Sequence, residues 1–529
     1  MKSQMNFQVV IFLTIASAFL FYGCPKTPDP AGEQPYNFGE KEVKRVLIEP
    51  KKVEGGKFEH YEPKELEPNQ DKPFIVPDGP KRGDMKPLNK EIKPDKMLPA
   101  GEGGADDPVV FGKYEAFGTE VTGVSATAAD MSVARNGQVV FASGNWYAAL
   151  SLDGGNTFTG LDPTTILPVT DGAGNVLDGG WCCDQVIHYV QEFDLFVWLH
   201  QFCGNGANCL AGTNRIRIAV ATTEEMINSR GTAWTYWDFT SANMGQTNPF
   251  DYPDLSIGTN HLYWSADVVN VGLMVVRVPL RELAERATIT ADYTDPADGA
   301  NAYGAHLTQN TVNQIFWAGH VNSSTLRVFN LPDNSGSYSW RDININSWSN
   351  AQPSSISPNG STDWLSFNFP RNAVIGAARS GDDVWFAWTA AAGGGFARAN
   401  VQMVRININS FTFQEQVSIW NPDLSFAYPY LATNRKGELG ISLAFGGGNT
   451  YYGSHGVGIW GDFVVWYPEL SDTATARWGD YTTARRYSPV GDLWDAAGYT
   501  VQKTAGGGVQ FQPHYIHFGR NSVVAANPN

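Results

Sequence analysis

Short apolar runs, each closed by a polar turn, recur along the chain from about residue 130 to its end. Residues 184–190 (DQVIHYV) form one such run, residues 191–194 (QEFD) the turn, and residues 195–199 (LFVWL) a second, strongly apolar run. Val, Ile, Phe, Tyr and Trp fill the pair, and these types suit a pleated, buried surface. Runs this short and this β-branched predict strands rather than helices. The layout returns at 130–134 with 139–142, 252–257 with 262–264, and 306–309 with 315–318. It returns again at 372–378 with 384–388, 428–431 with 439–443, and 478–481 with 493–499. Tyr-Pro-x-Leu is shared by Tyr252–Leu255 and Tyr428–Leu431, the clearest internal echo.

A third strand is expected after each pair, as at 216–222, 273–278, 325–330 and 401–406, and then a more polar, exposed fourth, as at 234–239 and 413–420. Helical patterns are scarce; residues 223–229 and 279–287 suit short helices inside loops. Seven four-stranded antiparallel units predict an all-β, seven-bladed β-propeller, with six blades the alternative. The segment 114–122 precedes the first unit and supplies an outer strand to close the ring.

Composition adds an address. The chain opens with Lys2 and an apolar run over 9–21, too short for a comfortable membrane span and typical of an export signal. The run ends at Gly23-Cys24, which resembles the bacterial lipobox, so Cys24 is the expected lipidation site; an ordinary cleaved signal peptide is the alternative. The expected division is a signal peptide over 1–23, a lipidated N-terminus and linker over 24–105, and the propeller over 106–529. The resemblance implies a lipid-anchored protein of the bacterial cell envelope, at the outer membrane or cell surface.

Residues 25–105 hold 13 Pro, 15 Lys+Arg and 16 Asp+Glu and no Trp. Such a stretch buries too little apolar surface to offset ordering and reads as an extended, disordered spacer, with 43–48 and 74–76 as patches able to dock. Residues 106–529 hold 21 Lys+Arg and 37 Asp+Glu, so the whole net charge of −16 sits there. That surface repels nucleic acid and anionic lipid.

Four cysteines remain beyond Cys24, namely Cys182, Cys183, Cys203 and Cys209. An even number in an exported chain suggests two disulfides with three connectivities. A cross-strand Cys182–Cys203 bond leaves Cys183 for Cys209. A vicinal Cys182–Cys183 bond leaves Cys203–Cys209 to close the Gly/Asn loop, and the short CGNGANC sequence suits that closure.

Ser151, Asp153, Gly155, Thr157 and Phe158 match the Asp-box, S-x-D-x-G-x-T-W, with Phe in the place of Trp. The Asp caps turn amides, the Gly takes positive φ, and the aromatic packs beneath. Residues 330–340 (NLPDNSGSYSW) are a degenerate second copy. On these residues the chain resembles the Asp-box (BNR-repeat), sialidase-like propellers over residues 106–529. That family's catalysis rests on three arginines, a Tyr–Glu pair and an Asp. Its F/Y-R-I-P motif is missing; Phe369-Pro370-Arg371 has the wrong order, and Arg485 is tied to no site. The resemblance therefore implies the fold and not the chemistry.

Aligning the starts of the seven units places Asp130, Asp184, Asp254, His306, Asn372, Tyr430 and Asp480 in a ring at one mouth of the central channel. Oxygen-rich rings suit Ca²⁺ or sugar hydroxyls; the bland alternative is that each anchors backbone amides of its own blade. Asp184, Asp254, His306 and Asp480 are the favoured subset. Close carboxylates also suit acid/base work. Trp181, Tyr252, Tyr428, Tyr430 and Trp478 flank the ring and suit either sugar stacking or inter-blade core. The expected function is binding of a glycan or protein partner without catalysis. A sialidase-like glycoside hydrolase or lyase and a structural envelope protein are the alternatives.

Overall fold

The computed structural model describes residues 38–55, 86–87, 107–122, 129–206, 209–366 and 372–527. Cys24, the signal segment, residues 74–76 and Phe369-Pro370-Arg371 lie outside them. Seven antiparallel sheets, each of four or five strands, are arranged as the blades of a propeller. The first blade comprises Ser132–Asn136, Val139–Gly144, Tyr147–Ser151 and Thr159–Leu161. The second comprises Trp181–Val190, Leu195–Phe202, Arg215–Thr222 and Trp234–Thr240, and the third Phe250–Ile257, His261–Val268, Gly272–Pro279 and Ile289–Tyr293. The second and third strands of most blades are nearly wholly buried, which explains their continuous apolar runs. Second strands carry a large buried aromatic in most blades: Phe141, Trp198, Trp264, Trp317, Trp388 and Trp494.

Three placements differ from the sequence reading. In the fourth blade, His306–Gln309 forms no ladder; Thr308 N donates to Phe316 O at 3.0 Å, and Gln309 pairs in parallel with Ala378 of the fifth blade. In the seventh blade the innermost strand is Thr483–Arg486, so residues 478–481 form the loop leading into it. The ring is closed by Val109–Ala116 alongside Val509–Arg520, somewhat earlier than 114–122, whose end is the short helix Thr119–Thr122.

Part of the stretch read as spacer is ordered. Phe38–Glu42, Lys44–Ile48 and Lys51–Val53 add outer strands to the fourth, third and second blades in turn. Composition hides this because the pairing is made by backbone groups, with basic side chains reaching acids on the blades. Lys41 meets Asp298 at 2.7 Å, Arg45 meets Asp292 at 2.6 Å, and Lys51 meets Asp238 at 2.9 Å. The belt also explains why Trp234–Thr240, expected to be polar and exposed, is buried.

The Ser151–Phe158 segment is the hairpin between the third and fourth strands of the first blade. Asp153 Oδ1 accepts the N–H of Asn156 and Thr157 at 3.0 and 2.9 Å, and Ser151 Oγ accepts that of Gly155 at 2.8 Å. Gly155 sits at φ +87°, where a Cβ would also meet the Tyr515 ring at 2.5 Å. Phe158 packs on Phe117 and Tyr515.

Candidate functional site

The inner strands of the second, third and sixth blades carry bulges near their starts, between Cys182 and Gln185, Asp251 and Asp254, and Ala427 and Tyr430. Tyr252 and Tyr428 occupy them with φ of +52° each, and this gives the shared Tyr-Pro-x-Leu its physical meaning. A bulge shifts which residue faces the axis. After it, Gln185, Asp254 and Tyr430 pair with His200, Ser265 and Ser442. Asp184 therefore stands one residue before Asp254's position, and Asp130, at φ +37° before Ser132, two residues before it. The seven aligned residues do not form one ring.

Asp130, Asp184 and Asp480 do meet, at the end of the channel where the inner strands begin. Asp251 and Tyr481, neither singled out in the sequence, join them. Tyr481 Oη donates to Asp184 Oδ2 at 3.4 Å and to Pro253 O at 3.1 Å. Gln201 Nε2 donates to Asp251 Oδ1 at 2.8 Å. Asp184 and Asp251 are half-buried, whereas Asp130 and Asp480 are buried. Burial, then the neighbouring Asp251 and Asp130, pushes the Asp184 carboxyl well above the usual range. Burial and Asp130 do the same to Asp480. Arg477, half-buried in the loop before the seventh blade, opposes both shifts. The one sequence signal for the added residues was adjacency, since Asp251 precedes Tyr252 and Tyr481 follows Asp480.

The other members have separate duties. Asp254 Oδ2 accepts the N–H of Leu307 at 2.8 Å, the backbone-anchoring role. Asn372 Nδ2 donates to Asn350 O and Ala351 O, away from the axis cluster. His306 packs in a triangle of rings with Tyr252 and Tyr481, at 5.1 and 5.4 Å from them while they lie 4.8 Å apart, and burial holds it below its ordinary pKa. Tyr430 bonds Arg485 beyond this stack, towards the opposite mouth. Trp478 stacks on Tyr499 at 4.4 Å within the core. Among the described residues no three His, Cys, Asp or Glu side chains are arranged to hold a metal ion.

Trp181 lies three residues before Asp184, half-buried, with Trp146 edge-on to it at 5.5 Å. Trp146 is held at φ +77°, a conformation that costs a bulky residue free energy. Its neighbour Asn145 donates from Nδ2 to Asp130 Oδ2 at 2.8 Å, which ties the turn to the carboxylates. Cys182 is bonded to Cys183 and Cys203 to Cys209 beside this rim. A half-exposed aromatic pair next to half-buried carboxylates can stack on a sugar face and accept its hydroxyl protons.

No family model and no curated protein matches the chain. Solved structures it is similar to include an arabinofuranosidase and two intramolecular trans-sialidases. One is the α-L-arabinofuranosidase Arb93A of Fusarium graminearum with an iminosugar inhibitor, at 11% identity over 83% of this chain and 100% of that chain, TM-score 0.34. Another is the intramolecular trans-sialidase of Ruminococcus gnavus with oseltamivir carboxylate, at 10% identity over 67% and 96%, TM-score 0.39. A third is the leech intramolecular trans-sialidase with 2,7-anhydro-Neu5Ac, at 10% identity over 62% and 67%, TM-score 0.35. At these values they bear on no individual residue here.

Proposed function

We propose that the protein is a lipid-anchored cell-envelope propeller that binds a glycan where its inner strands begin. The observation that carries the reading is the strained Trp146 set edge-on to Trp181 beside the half-buried Asp184 and Asp251. Strain on a bulky residue persists where the surroundings over-determine it, and it concentrates at ligand clamps. The anchor is Cys24 of the lipobox-like Gly23-Cys24, and the acidic surface keeps the domain away from anionic lipid. A glycan array followed by titration calorimetry tests the binding. Trp181→Ala and Asp184→Asn should each weaken the best array hit by about tenfold, equivalent to about 1.4 kcal/mol. An array blank at high concentration, or full binding by both variants, would overturn the reading and favour a structural envelope protein.

A second reading, glycoside hydrolysis, rests on a different observation. Burial and acidic neighbours raise the carboxyl pKa values of Asp184 and Asp480, the direction a general acid needs. Turnover of a chromogenic glycoside that is lost in both Asp184→Asn and Asp480→Asn would establish it. No turnover across a broad glycoside panel would remove it.

A further inference from the structure

At the opposite end of the axis, where the inner strands finish, the blades surround a cavity of about 940 Å³. Its chemistry is the reverse of the acidic end. Arg135 closes the inner strand of the first blade, Arg379 lies at the end of the fifth, and Arg485 and Arg486 end the seventh; all four line the cavity. Its two carboxylate residues are Glu192 and Asp382. With Arg435 at the exposed rim, five arginines line the cavity, conspicuous in a chain whose net charge is −16.

Arg379, Arg485 and Arg486 are positioned by neutral oxygens. Arg379 Nε donates to Gly381 O at 2.9 Å, and its Nη1 is buried without a hydrogen-bond partner. Arg486 Nε donates to Thr433 O at 3.0 Å and Nη2 to Asn434 O at 3.3 Å. Arg485, buried, donates from Nη1 to Gln309 Oε1 at 3.2 Å and to Tyr430 Oη. Among the described residues no carboxylate pairs with Arg379, Arg485 or Arg486. Elsewhere the protein pairs its arginines closely, as in Arg217–Asp238 at 2.7 Å and Arg327–Asp342 at 2.7 Å. Burial outweighs Asp382 and holds Arg379 below its ordinary pKa, as expected for a cation lacking its counter-ion.

The cavity is also separate from the acidic end. The His306 stack, with Tyr430 at 6.0 Å from His306, lies between them on the axis. His188 Nε2 and Arg485 Nη1 both meet Gln309 Oε1, so side chains of three blades form its floor. Its volume falls in the range of small-molecule sites, about 300–1,000 Å³.

We infer that this funnel is a second binding site, taking a small polyanion whose carboxylate or phosphate oxygens complete the hydrogen bonding of Arg379, Arg485 and Arg486. Guanidinium forks match both groups, and charge-assisted bonds to them are about twice as strong as neutral ones. The site does not depend on the glycan reading of the other end.

Calorimetry of the full-length protein with citrate and with fructose 1,6-bisphosphate tests it, the two probes separating carboxylate from phosphate ligands and maltotriose serving as neutral control. Binding of either anion, weakened about tenfold by Arg379→Gln and by Arg485→Gln and lost at high salt, is the expected result. Arg435→Gln, on the exposed rim and paired with Asp492 at 3.3 Å, should change affinity far less. Arg379 is half-buried, so its variant decides the matter even where Arg485→Gln fails to fold. No binding of either anion up to about 10 mM, or binding indifferent to Arg379→Gln, overturns the inference.

Discussion

Oδ1 of Asp130 accepts the backbone N–H of Asp480 at 2.7 Å, joining residues 350 apart in sequence and linking the approach to the first blade with the approach to the last. The same oxygen accepts the N–H of Tyr481 at 3.2 Å. Asp130→Ala strands two buried donors, each costing about 1–3 kcal/mol, so the variant should lose at least about 2 kcal/mol. Urea denaturation measures this, and an unchanged midpoint would deny Asp130 the closing role.

Asp184 and Asp480 should make the protein less stable as pH rises. Their folded pKa values lie above the unfolded values because of burial and then like charge. The native state thus binds more protons than the unfolded state above about pH 4, and stability falls with rising pH through the window up to the folded pKa values. Asp480→Asn should raise the thermal midpoint at pH 8 and change it little at pH 4. A midpoint lowered equally at both pH values would show that the carboxylate itself is needed.

Asp238 has the opposite sign. Burial raises its pKa, but Arg217 and then Lys51 of the belt outweigh it and hold the group at about 2. Its contribution, about 2 kcal/mol, is present above the unfolded value near 4 and is lost as pH falls towards 2. Hydrogen exchange at residues 51–53 and 234–236 should accelerate across that window. Lys51→Ala should move the onset to higher pH, and an unshifted onset would remove the belt from this linkage.

Cys203–Cys209 closes a short loop, with a sequence separation of 6. Loop-closure entropy assigns such a bond about 2 kcal/mol. The Cys182–Cys183 bond joins adjacent residues and constrains almost no chain. Cys203→Ser with Cys209→Ser should lower the denaturation midpoint, and Cys182→Ser with Cys183→Ser should hardly change it. Peptide mapping that found Cys182 joined to Cys203 would contradict both expectations.

Much of the architecture was legible because strand pairing here is local. The continuous apolar runs at 195–199 and 384–388 report burial directly, and the helix Thr223–Ser229 announces itself through Thr222 and Glu225, which form a capping box. The inner strand of the seventh blade was misplaced because the aromatics at 478–481 mimic a strand while packing as a loop against Tyr499. Residues 43–48, read as a patch able to dock, form the middle of the belt; its other two strands were read as spacer because their ordering comes from sheet edges supplied by blades some 200 to 300 residues away in sequence. The site was partly legible: Asp130, Asp184 and Asp480 converge, but Asp254 and Tyr430 face elsewhere. A bulge of one residue redirects every side chain after it, and no composition marks that shift.

The amino-acid sequence by itself determined the strand inventory, the sevenfold repetition and the capped turn at Ser151–Phe158, because each follows from contacts within a few residues. Only the tertiary structure decided that the two ends of the axis carry opposite charge. Arg135, Arg379 and Arg485 are distant and unpatterned along the chain, and they become neighbours because inner strands of different blades all finish on one face.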